Sequence, residues 1–314
     1  ESTLKQILSL EAAGCDIVRI AVSSMAEAEA CKGIIGKTSS PLVADIQFDY
    51  RLAIACADIG FDKIRFNPGN IGGDGKVAEV VAACKRNGIP IRVGVNGGSL
   101  DKSISSRLSG AMALAESALQ SALLLERHGF YDIVLSVKSS DVRTMIEAYE
   151  ILDGKCDYPL HLGVTESGSG QRGIIKSSIG IGALLFKGIG DTIRVSLTGD
   201  PVREVEAARL ILRSLRLDES GVEIVSCPTC SRCNYDMEPI VEELEKRFAH
   251  FKKRLKIAVM GCVVNGPGEA ADADIALCGG QNGKAALFLK GKAIKTINVS
   301  DAIAEILALA DKIS

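Results

Sequence analysis

The chain has 314 residues, of which 47% are hydrophobic and 24% charged, and its formal net charge is −2. This composition excludes a disordered chain and argues against a general nucleic-acid-binding surface. No apolar run reaches the roughly 20 residues that span a membrane, and ten cysteines in a chain of this length do not indicate a small disulfide scaffold.

The first two thirds of the chain alternate helical periodicity with short β-branched runs. TLKQILSLEAAG predicts a helix that ends at Gly14, and stretches rich in Ala, Leu and Glu separate the runs that follow. Continuous apolar runs suit strands that are buried on both faces, as in a parallel sheet covered by helices. The predicted strands are CDIVRIAV (15–22), PLVADIQ (41–47), KIRFNPG (63–69), PIRVGVN (90–96), DIVLSVKS (132–139), PLHLGVT (159–165) and TIRVSLT (192–198).

Seven strands that follow an initial helix predict an α/β fold, a (β/α)8 TIM barrel whose first strand precedes Glu1 and is missing from this chain. An open doubly wound sheet is the structural alternative, but its ligand residues would cluster at one switch point. Polar groups near the C-terminal end of every predicted strand favour the barrel. We expect this substrate-binding domain over residues 1–217.

The composition changes after residues 217–221, and a smaller α+β domain is predicted over residues 218–314. The pattern predicts strands over GVEIVSC, LKIAVMGC and ADIALCGG and a hairpin over KAALFLKGKAIKTIN. It predicts helices over DMEPIVEELEKRFAHF and DAIAEILALADKI. The Asn-Gly-Pro-Gly stretch at 265–268 predicts a turn.

Charged side chains interrupt the apolar strands of the predicted barrel. Buried charges are costly unless they are paired or functional, and the C-terminal strand ends of a barrel converge on the face that holds active sites. Several cations set against two carboxylates predict a site for a small polyanion, best a diphosphate, because Arg offers bidentate donors to phosphate. The alternative is that each arginine is a structural residue paired with a neighbouring acid. The candidate cations are Arg19, Arg65, Arg92 and Lys138, and the polar residues at matching strand ends are Asp45, Asn67, Asn96, Thr165, Glu166 and Ser196.

Three residues near these strand ends are interpreted from position. Arg194 lies early in its predicted strand and is expected to face the barrel bottom, outside the site. Glu166 suits a general acid or base and equally suits a salt-bridge partner of an arginine. His161, like His128 and His250, belongs to no histidine cluster and is expected to be a core or surface residue, which argues against a histidine-based zinc site or catalytic triad.

The cysteines divide into two populations. Cys15, Cys31, Cys56, Cys84 and Cys156 are scattered through apolar barrel segments and are expected to pack as small hydrophobes. The C-terminal cysteines have metal-ligand spacing, and the candidate ligand sets are Cys227, Cys230 and Cys262 with Cys233, Cys278 or Glu269 as the fourth member. Four cysteines suit an electron-transfer cluster or a structural zinc, whereas three cysteines and a carboxylate leave one iron with an exchangeable ligand.

Together these motifs resemble those of the bacterial 4-hydroxy-3-methylbut-2-en-1-yl diphosphate synthase family. The resemblance covers almost the whole chain, and it is most specific at MGCVVNGPGEA. The motifs are GCDIVRIAV, PLVADIQFDYRLA, KIRFNPGNIG, IRVGVN, SVKSSDV, YPLHLGVTESG, IRVSLTGDPV, CPTCSR and MGCVVNGPGEA. The family implies a barrel followed by a 4Fe-4S domain. It also implies reductive opening of 2-C-methyl-D-erythritol 2,4-cyclodiphosphate in the non-mevalonate isoprenoid pathway.

The resemblance carries roles onto matching residues of this chain. Cys227, Cys230 and Cys262 match the cluster thiolates, Glu269 matches the carboxylate on the fourth iron, and Glu166 is expected to assist proton transfer. The residues that match the substrate-binding set are Arg19, Asp45, Arg65, Asn67, Arg92, Asn96, Lys138, Thr165 and Ser196. Two positions depart from the family pattern. Gln47 stands where the family usually has His, which puts a proton-donor role there in doubt, and Cys233 occupies a variable position, which favours a non-ligand thiol.

The resemblance further implies partners. These are a ferredoxin or flavodoxin as electron donor and a second copy of the chain, so that one subunit's cluster domain caps the partner's barrel. Free thiols and an oxygen-sensitive cluster favour a reducing cytoplasm. The competing function is a barrel isomerase or lyase that acts on a phosphorylated substrate and carries a structural zinc module. A non-catalytic iron–sulfur carrier is the third hypothesis.

Overall fold

A computed structural model describes residues 1–97, 102–249, 251, 253–264 and 266–313. The chain divides into two compact units, Glu1–Leu215 and Arg216–Ser314. Among the described residues, no helix is both long and apolar enough to cross a membrane.

In the first unit, helices alternate with parallel strands, and all seven predicted strands are present in shortened form. The strands are β1 Val18–Ala21, β2 Leu42–Asp45, β3 Lys63–Phe66, β4 Ile91–Asn96, β5 Ile133–Lys138, β6 His161–Leu162 and β7 Thr192–Ile193. The helices are α1 Ser2–Ala12, α2 Met25–Cys31, α3 Tyr50–Ile59, α4 Asp74–Asn87, α5 Lys102–Ser105, α6 Gly110–Arg127, α7 Val142–Asp153, α8 Gly170–Phe186 and α9 Val202–Ser214.

The strands of the first unit lie side by side in chain order. β1 to β5 form one parallel sheet, a bridge between Leu135 and Leu160 continues it to β6, and β6 pairs with β7. Helix α9 returns to the start of the unit, where Arg209 donates to the Gly14 carbonyl at 3.0 Å from Nε and pairs with Asp16 at 2.6 Å. The described residues contain no ladder between β7 and β1, so closure of the ring stays a prediction.

The two faces of this sheet differ in polarity. Successive side chains of a strand point to opposite faces. One face carries buried apolar side chains such as Ile64, Phe66 and Val93, which belong to the main core under the helices. On the other, inner face, the register aligns Asp45 with Arg65, and Arg65 with Arg92, on neighbouring strands. Charges placed at alternate positions of apolar strands therefore gather on one surface.

Glycines permit close approaches on the inner face. A Cβ added to Gly163 would lie 2.8 Å from the backbone oxygen of Arg194, so the segment after β6 can lie this close to the segment after β7 only with glycine. A Cβ added to Gly94 would collide with the Arg65 guanidinium, which crosses β4 at that point. The position of the Arg65 side chain therefore depends on glycine at 94 in β4. The close approach to the Arg194 backbone depends on glycine at 163, just after β6.

The second unit is a mixed five-stranded sheet in the order β12-β11-β10-β9-β8, and it contains the predicted hairpin. Its parallel strands are β8 Val222–Ser226, β9 Leu255–Met260 and β10 Ile275–Gly279, and β11 Lys284–Leu289 and β12 Lys292–Asn298 continue it antiparallel. The helices are α10 Glu238–Phe248, α11 Gly266–Ala271 and α12 Ala302–Ile313. Leu244, Ile257 and Ile306 are fully buried in its core.

The turn predicted at 265–268 is wrong for the residues that the structure describes. Helix α11 begins at Gly266, and Asn265 lies outside the described residues. Pro267 stands in the first turn of this helix, where its fixed φ is already helical and its missing N–H has no intrahelical partner to lose. Proline therefore opens a helix here rather than ending one.

Gly163→Ala is expected to lower the free energy of unfolding by about 1–3 kcal/mol, because the new methyl group must push the segment after β6 away from the Arg194 carbonyl. Gly182→Ala in α8 is the control. An added Cβ there meets no atom within 4 Å, so the better helix propensity of alanine should stabilise the protein by about 1 kcal/mol. Urea denaturation measures both changes. If both substitutions changed the free energy of unfolding by the same small amount, the close approach of Gly163 to the Arg194 carbonyl would not matter for stability, contrary to this prediction.

Candidate functional site

The inner face of the first unit carries a charge cluster that we call the cationic cup. Its members are Arg19, Asp45, Arg65, Arg92, Lys138 and Arg194. The Asp45 carboxylate is shared between two guanidiniums, with Arg19 Nη1 3.0 Å from Oδ2 and Arg65 Nη1 2.7 Å from Oδ1. Within the described part of the chain, no carboxylate forms an ion pair with the other three cations.

This surplus of positive charge shifts the pKa values of the buried groups. Burial alone would raise the pKa of Asp45, but Arg65 and Arg19 outweigh it and hold the pKa below its usual value. Burial lowers the pKa of Arg92 to about 9, and the charges of Arg19 and Arg65 act in the same direction. Lys138 is only 6% exposed. Its pKa is lowered well below the ordinary value, mainly by burial and next by the charge of Arg194. The cup therefore holds cations that the protein itself does not neutralise.

Arg194 belongs to the cup, so the expectation that it faces the barrel bottom is wrong. Its Nη2 donates to Ser196 Oγ at 3.2 Å. Burial lowers the pKa of Arg194 to about 10, with Arg19 acting in the same direction and Glu204 opposing. The sequence predicted a strand to residue 198, whereas β7 ends at Ile193. Arg194 therefore lies beyond the strand end and not near its beginning.

A cavity of about 210 Å³ opens beside Arg65. Besides Arg65, its lining includes four neutral amide side chains, those of Gln47, Asn67, Asn70 and Asn96. Asn67 is buried, and its Oδ1 accepts a hydrogen bond from the Gly69 N–H at 3.1 Å. Amide groups beside a guanidinium can bind the hydroxyl and phosphate oxygens of a small polar ligand.

The segment after β6 carries Thr165 and Glu166. The Thr165 N–H donates to the Ser139 carbonyl at 3.2 Å, and the Ser167 hydroxyl donates to the Ser196 carbonyl. Glu166 is exposed and has φ 52, a left-handed conformation that few non-glycine residues adopt. Among the described residues its carboxylate pairs with no cation of the cup. Hydrogen bonds on both sides of Glu166 therefore fix the backbone that carries this carboxylate.

In the second unit, parallel strands bring cysteines to one edge of the sheet. We call Cys227, Cys230 and Cys262 the cysteine edge. Cys227 follows β8, and Cys262 lies just after β9, which pairs with β8 in parallel. The Gly261 N–H donates to Cys227 Sγ at 3.2 Å. A backbone N–H directed at a sulfur is the outer-shell contact that tunes metal-bound thiolates.

The Arg232 side chain interacts electrostatically with all three thiols of this edge. Its backbone N–H and its guanidinium both donate to the exposed Cys230 sulfur. These hydrogen bonds lower the pKa of Cys230, and the one from the backbone has the larger effect. The pKa of Arg232 is raised, most strongly by its hydrogen bond to Cys230 and less strongly by the charges of Cys230, Cys262 and Cys227. A thiol with a lowered pKa forms the thiolate that binds metals.

Cys233 and Cys278 occupy packing positions instead. The Cys233 thiol donates to the Tyr235 carbonyl at 3.0 Å and packs against the backbone of Gly261. Cys278 is buried, and burial raises its pKa to about 11. A Cβ added to Gly266 would lie only 2.7 Å from the Cys278 sulfur. Close backbone contact at both sulfurs favours structural thiols.

The cysteine edge fits an iron–sulfur group by its donors. No three His, Cys, Asp or Glu side chains of the described residues stand together as a ready metal site. The edge nevertheless offers three soft thiols, one of them with a lowered pKa, and a backbone N–H aimed at sulfur. Glu269 is exposed on α11, a helix that packs on β9 and β10. The set is thus three thiols with a carboxylate on a neighbouring element.

Comparisons with known proteins match both units. Residues 1–209 match the family model described as the GcpE TIM-barrel domain, and residues 223–312 match the GcpE protein C-terminal domain. A 4-hydroxy-3-methylbut-2-en-1-yl diphosphate synthase (flavodoxin) from Caldanaerobacter subterraneus is 54% identical over 99% of this chain and 88% of its own length. The Thermotoga maritima protein of the same name is 55% identical over 93% of this chain and 83% of its own length.

Lys138→Met is expected to raise the free energy of unfolding of the ligand-free protein by about 1–3 kcal/mol, because a side chain of similar length replaces a charge buried among like charges. The folded-state pKa of Lys138 is lowered from 10.5, so the cost of its charge is complete below that lowered value, falls as the pH rises above it, and is gone only above the unfolded value of 10.5. The advantage of the methionine variant should therefore shrink at high pH.

Urea titrations at several pH values measure this difference. Lys187→Met is the matched control, since Lys187 is exposed and paired with Glu150, and it should change stability by less than about 0.5 kcal/mol. A loss of stability in Lys138→Met would contradict an uncompensated charge in the cup.

Proposed function

This chain belongs to the 4-hydroxy-3-methylbut-2-en-1-yl diphosphate synthase family of oxidoreductases, and from that premise we propose that it opens the ring of 2-C-methyl-D-erythritol 2,4-cyclodiphosphate reductively. The product is 4-hydroxy-3-methylbut-2-enyl diphosphate. The observation that carries the proposal is the surplus of buried positive charge in the cationic cup, which an anion with several charged oxygens would neutralise. A cyclic diphosphate supplies such oxygens together with the hydroxyl groups that neutral amides can bind.

The cup would bind the diphosphate through its unpaired cations, Arg92, Lys138 and Arg194. Asp45 holds Arg19 and Arg65 in fixed orientations, so these guanidiniums enter the complex with little loss of side-chain freedom. Arg194 joins the substrate-binding set expected from the family resemblance. That set is Arg19, Asp45, Arg65, Asn67, Arg92, Asn96, Lys138, Thr165 and Ser196.

The cysteine edge would hold a 4Fe-4S cluster through Cys227, Cys230 and Cys262, with Glu269 as the fourth ligand. When bound, such a cluster supplies electrons one at a time and a Lewis-acidic iron. The Gly261 N–H supports the Cys227 thiolate, and Arg232 offsets negative charge at Cys230. We assign substrate binding to residues 1–217 and the cluster to residues 218–314.

The residues of this chain handle charge and protons in the proposed reaction. Two electrons enter, one carbon–oxygen bond of the ring breaks, and a hydroxyl group leaves as water after it takes up a proton. The cup stabilises the phosphate oxygen that ring opening releases. Glu166 is the proposed proton-transfer residue, and its constrained backbone sets the point from which the carboxylate extends.

We assign flavodoxin as the electron donor, since the relatives' names specify it, with ferredoxin as the alternative donor. A homodimer in which one subunit's cluster domain covers its partner's barrel would exclude water from the reaction. A reducing cytoplasm is the compartment that suits free thiols and an oxygen-sensitive cluster.

Anaerobic purification followed by a turnover assay with the cyclodiphosphate and reduced flavodoxin tests this function. We expect brown protein with about four irons and four sulfides per chain and an EPR signal on reduction. Stoichiometric zinc in colourless protein would instead support the isomerase or lyase with a structural zinc module. A bound cluster without turnover of the cyclodiphosphate would instead support the non-catalytic iron–sulfur carrier.

Cys227→Ser is expected to abolish most iron binding, because the hydroxyl is a poor replacement for a thiolate ligand. Cys233→Ser is the control, since that thiol donates to the Tyr235 carbonyl and a hydroxyl can do the same. Iron analysis and EPR of anaerobically purified variants measure the difference. If Cys233→Ser lost its iron as completely as Cys227→Ser, the assignment of ligands would be wrong.

Glu269→Cys is expected to keep the cluster and to lose at least about 99% of the turnover, because a fourth thiolate would replace the exchangeable ligand. Glu269→Gln separates the loss of charge from the gain of a thiolate. Iron content, EPR and kcat are measured on the same preparations. Full turnover by Glu269→Cys would exclude a role for an exchangeable position.

A further inference from the structure

His161 lies on the inner face of β6 and is tightly fixed. The residue is 5% exposed, and its Nδ1 lies 2.8 Å from Oγ1 of Thr192, its register partner on β7. The His161 carbonyl accepts a hydrogen bond from the Tyr149 hydroxyl. That hydroxyl in turn accepts a hydrogen bond from the Val137 N–H at 3.1 Å. Both the backbone and one ring nitrogen of His161 are therefore constrained.

The second ring nitrogen of His161 has no such constraint. Nε2 is buried and finds no hydrogen-bond partner in the described part of the chain. Leaving a buried polar group unpaired destabilises the folded state. Such a group in a native interior calls for an explanation, and strain, catalysis and ligand binding are the usual ones.

Cations surround His161. Burial lowers the pKa of the ring well below its ordinary value, and the strongest charges acting on it lower the pKa further. These charges are Arg92, Lys138, Arg194 and Arg19, in order of effect. Tyr149 on α7 contributes no charge, because burial raises its pKa. The ring is therefore uncharged at neutral pH, and in the tautomer whose Nδ1–H donates to Thr192 a lone pair is available on Nε2.

Lys138 is the donor that lies next to this strand. Its Cε is 3.7 Å from the position of a Cβ added to Gly163, the next inner-face residue of the chain after His161. Within the described residues, the Lys138 ammonium forms no hydrogen bond and no ion pair. An ammonium without an acceptor and an imidazole without a donor thus belong to adjacent strands of one buried surface.

We propose that His161 is a positioning residue of the cationic cup, whose neutral ring accepts a hydrogen bond at Nε2 from the Lys138 ammonium when the diphosphate binds. A carboxylate in this position would cancel the charge that attracts the phosphate, whereas a neutral acceptor orients the ammonium and leaves its charge in place. Accepting a hydrogen bond from the charged form also favours that form. This inference rests on the function proposed above.

Two substitutions distinguish the role of Nε2 from the role of Nδ1. His161→Gln places an amide group near the former Nε2, and His161→Asn places one near the former Nδ1, within reach of Thr192. With the holoenzyme, the cyclodiphosphate and reduced flavodoxin, we expect His161→Gln to keep KM within about threefold of wild type. His161→Asn should raise KM by about tenfold or more with little change in kcat, because the interaction is present in both the bound substrate and the transition state.

Tm values of both variants accompany the kinetics. A raised KM in His161→Gln with a normal KM in His161→Asn would overturn the proposal, because the Thr192 contact alone would then matter. Equal losses of kcat/KM in both variants, with equally lowered Tm, would also overturn it and leave a purely structural residue. If wild-type holoenzyme does not turn over the cyclodiphosphate, the proposed function fails instead. Calorimetric affinities for inorganic diphosphate, compared in the same two variants, then decide the role of His161.

Nitrogen-15 NMR of the labelled holoenzyme supplies a readout that a structural role would not produce. The His161 ring should remain uncharged in the Nδ1–H tautomer between about pH 5.5 and 8, against an ordinary pKa of about 6.5. Addition of inorganic diphosphate should shift the Nε2 resonance in wild type and leave it unchanged in Lys138→Met. A ring that titrates near its ordinary pKa, or a shift of the same size in both proteins, would overturn the proposal.

Discussion

Uncompensated positive charge inside the first unit is the constraint on which its other features depend. Charges on neighbouring parallel strands meet because apolar residues occupy the alternate positions and face the helices. One carboxylate, Asp45, serves two guanidiniums, and burial lowers the pKa values of Arg92 and Lys138. Crowding like charges costs folding free energy, so an anionic ligand that satisfies them stabilises the folded state by mass action. Under the proposed function, substrate affinity and the instability of the empty fold therefore have the same cause.

The sequence predicts the strands of the first unit and the meeting of Arg19, Asp45 and Arg65, because apolar periodicity and the convergence of parallel strand ends are local signals. It does not predict that β7 stops at Ile193, because the following residues keep a strand-like pattern while their backbone leaves the ladder. Helix α11 was missed for the opposite reason, since Gly-Pro-Gly resembles a turn until the position of Pro267 within the first helical turn is known. Strand length and helix start are set by tertiary contacts that no short window contains.

Cysteine chemistry in this chain is decided by environment rather than by spacing alone. Cys230 and Cys233 belong to one short loop, yet only Cys230 has the guanidinium and N–H of Arg232 as donors, whereas Cys233 packs against Gly261. In the first unit, burial raises the pKa of Cys56 and of Cys84 to about 12, so both remain thiols at neutral pH. The spacing indicates which sulfurs can reach a metal together. Hydrogen bonding and packing determine which of them are able to become thiolates.

The polar partners inside the cup show how a protein can orient cations without neutralising them. Ser196 contacts Arg194 through a hydroxyl, and the amide of Asn67 lies at the cavity beside Arg65. The Ser196 hydroxyl fixes the direction of the Arg194 guanidinium and leaves its charge in place, whereas a carboxylate in that position would neutralise one positive charge. One acid, Asp45 on β2, lies between Arg19 on β1 and Arg65 on β3 and offsets the repulsion between the two guanidiniums. A second acid at ion-pair distance would stabilise the empty protein and, under the proposed function, would weaken its affinity for a diphosphate.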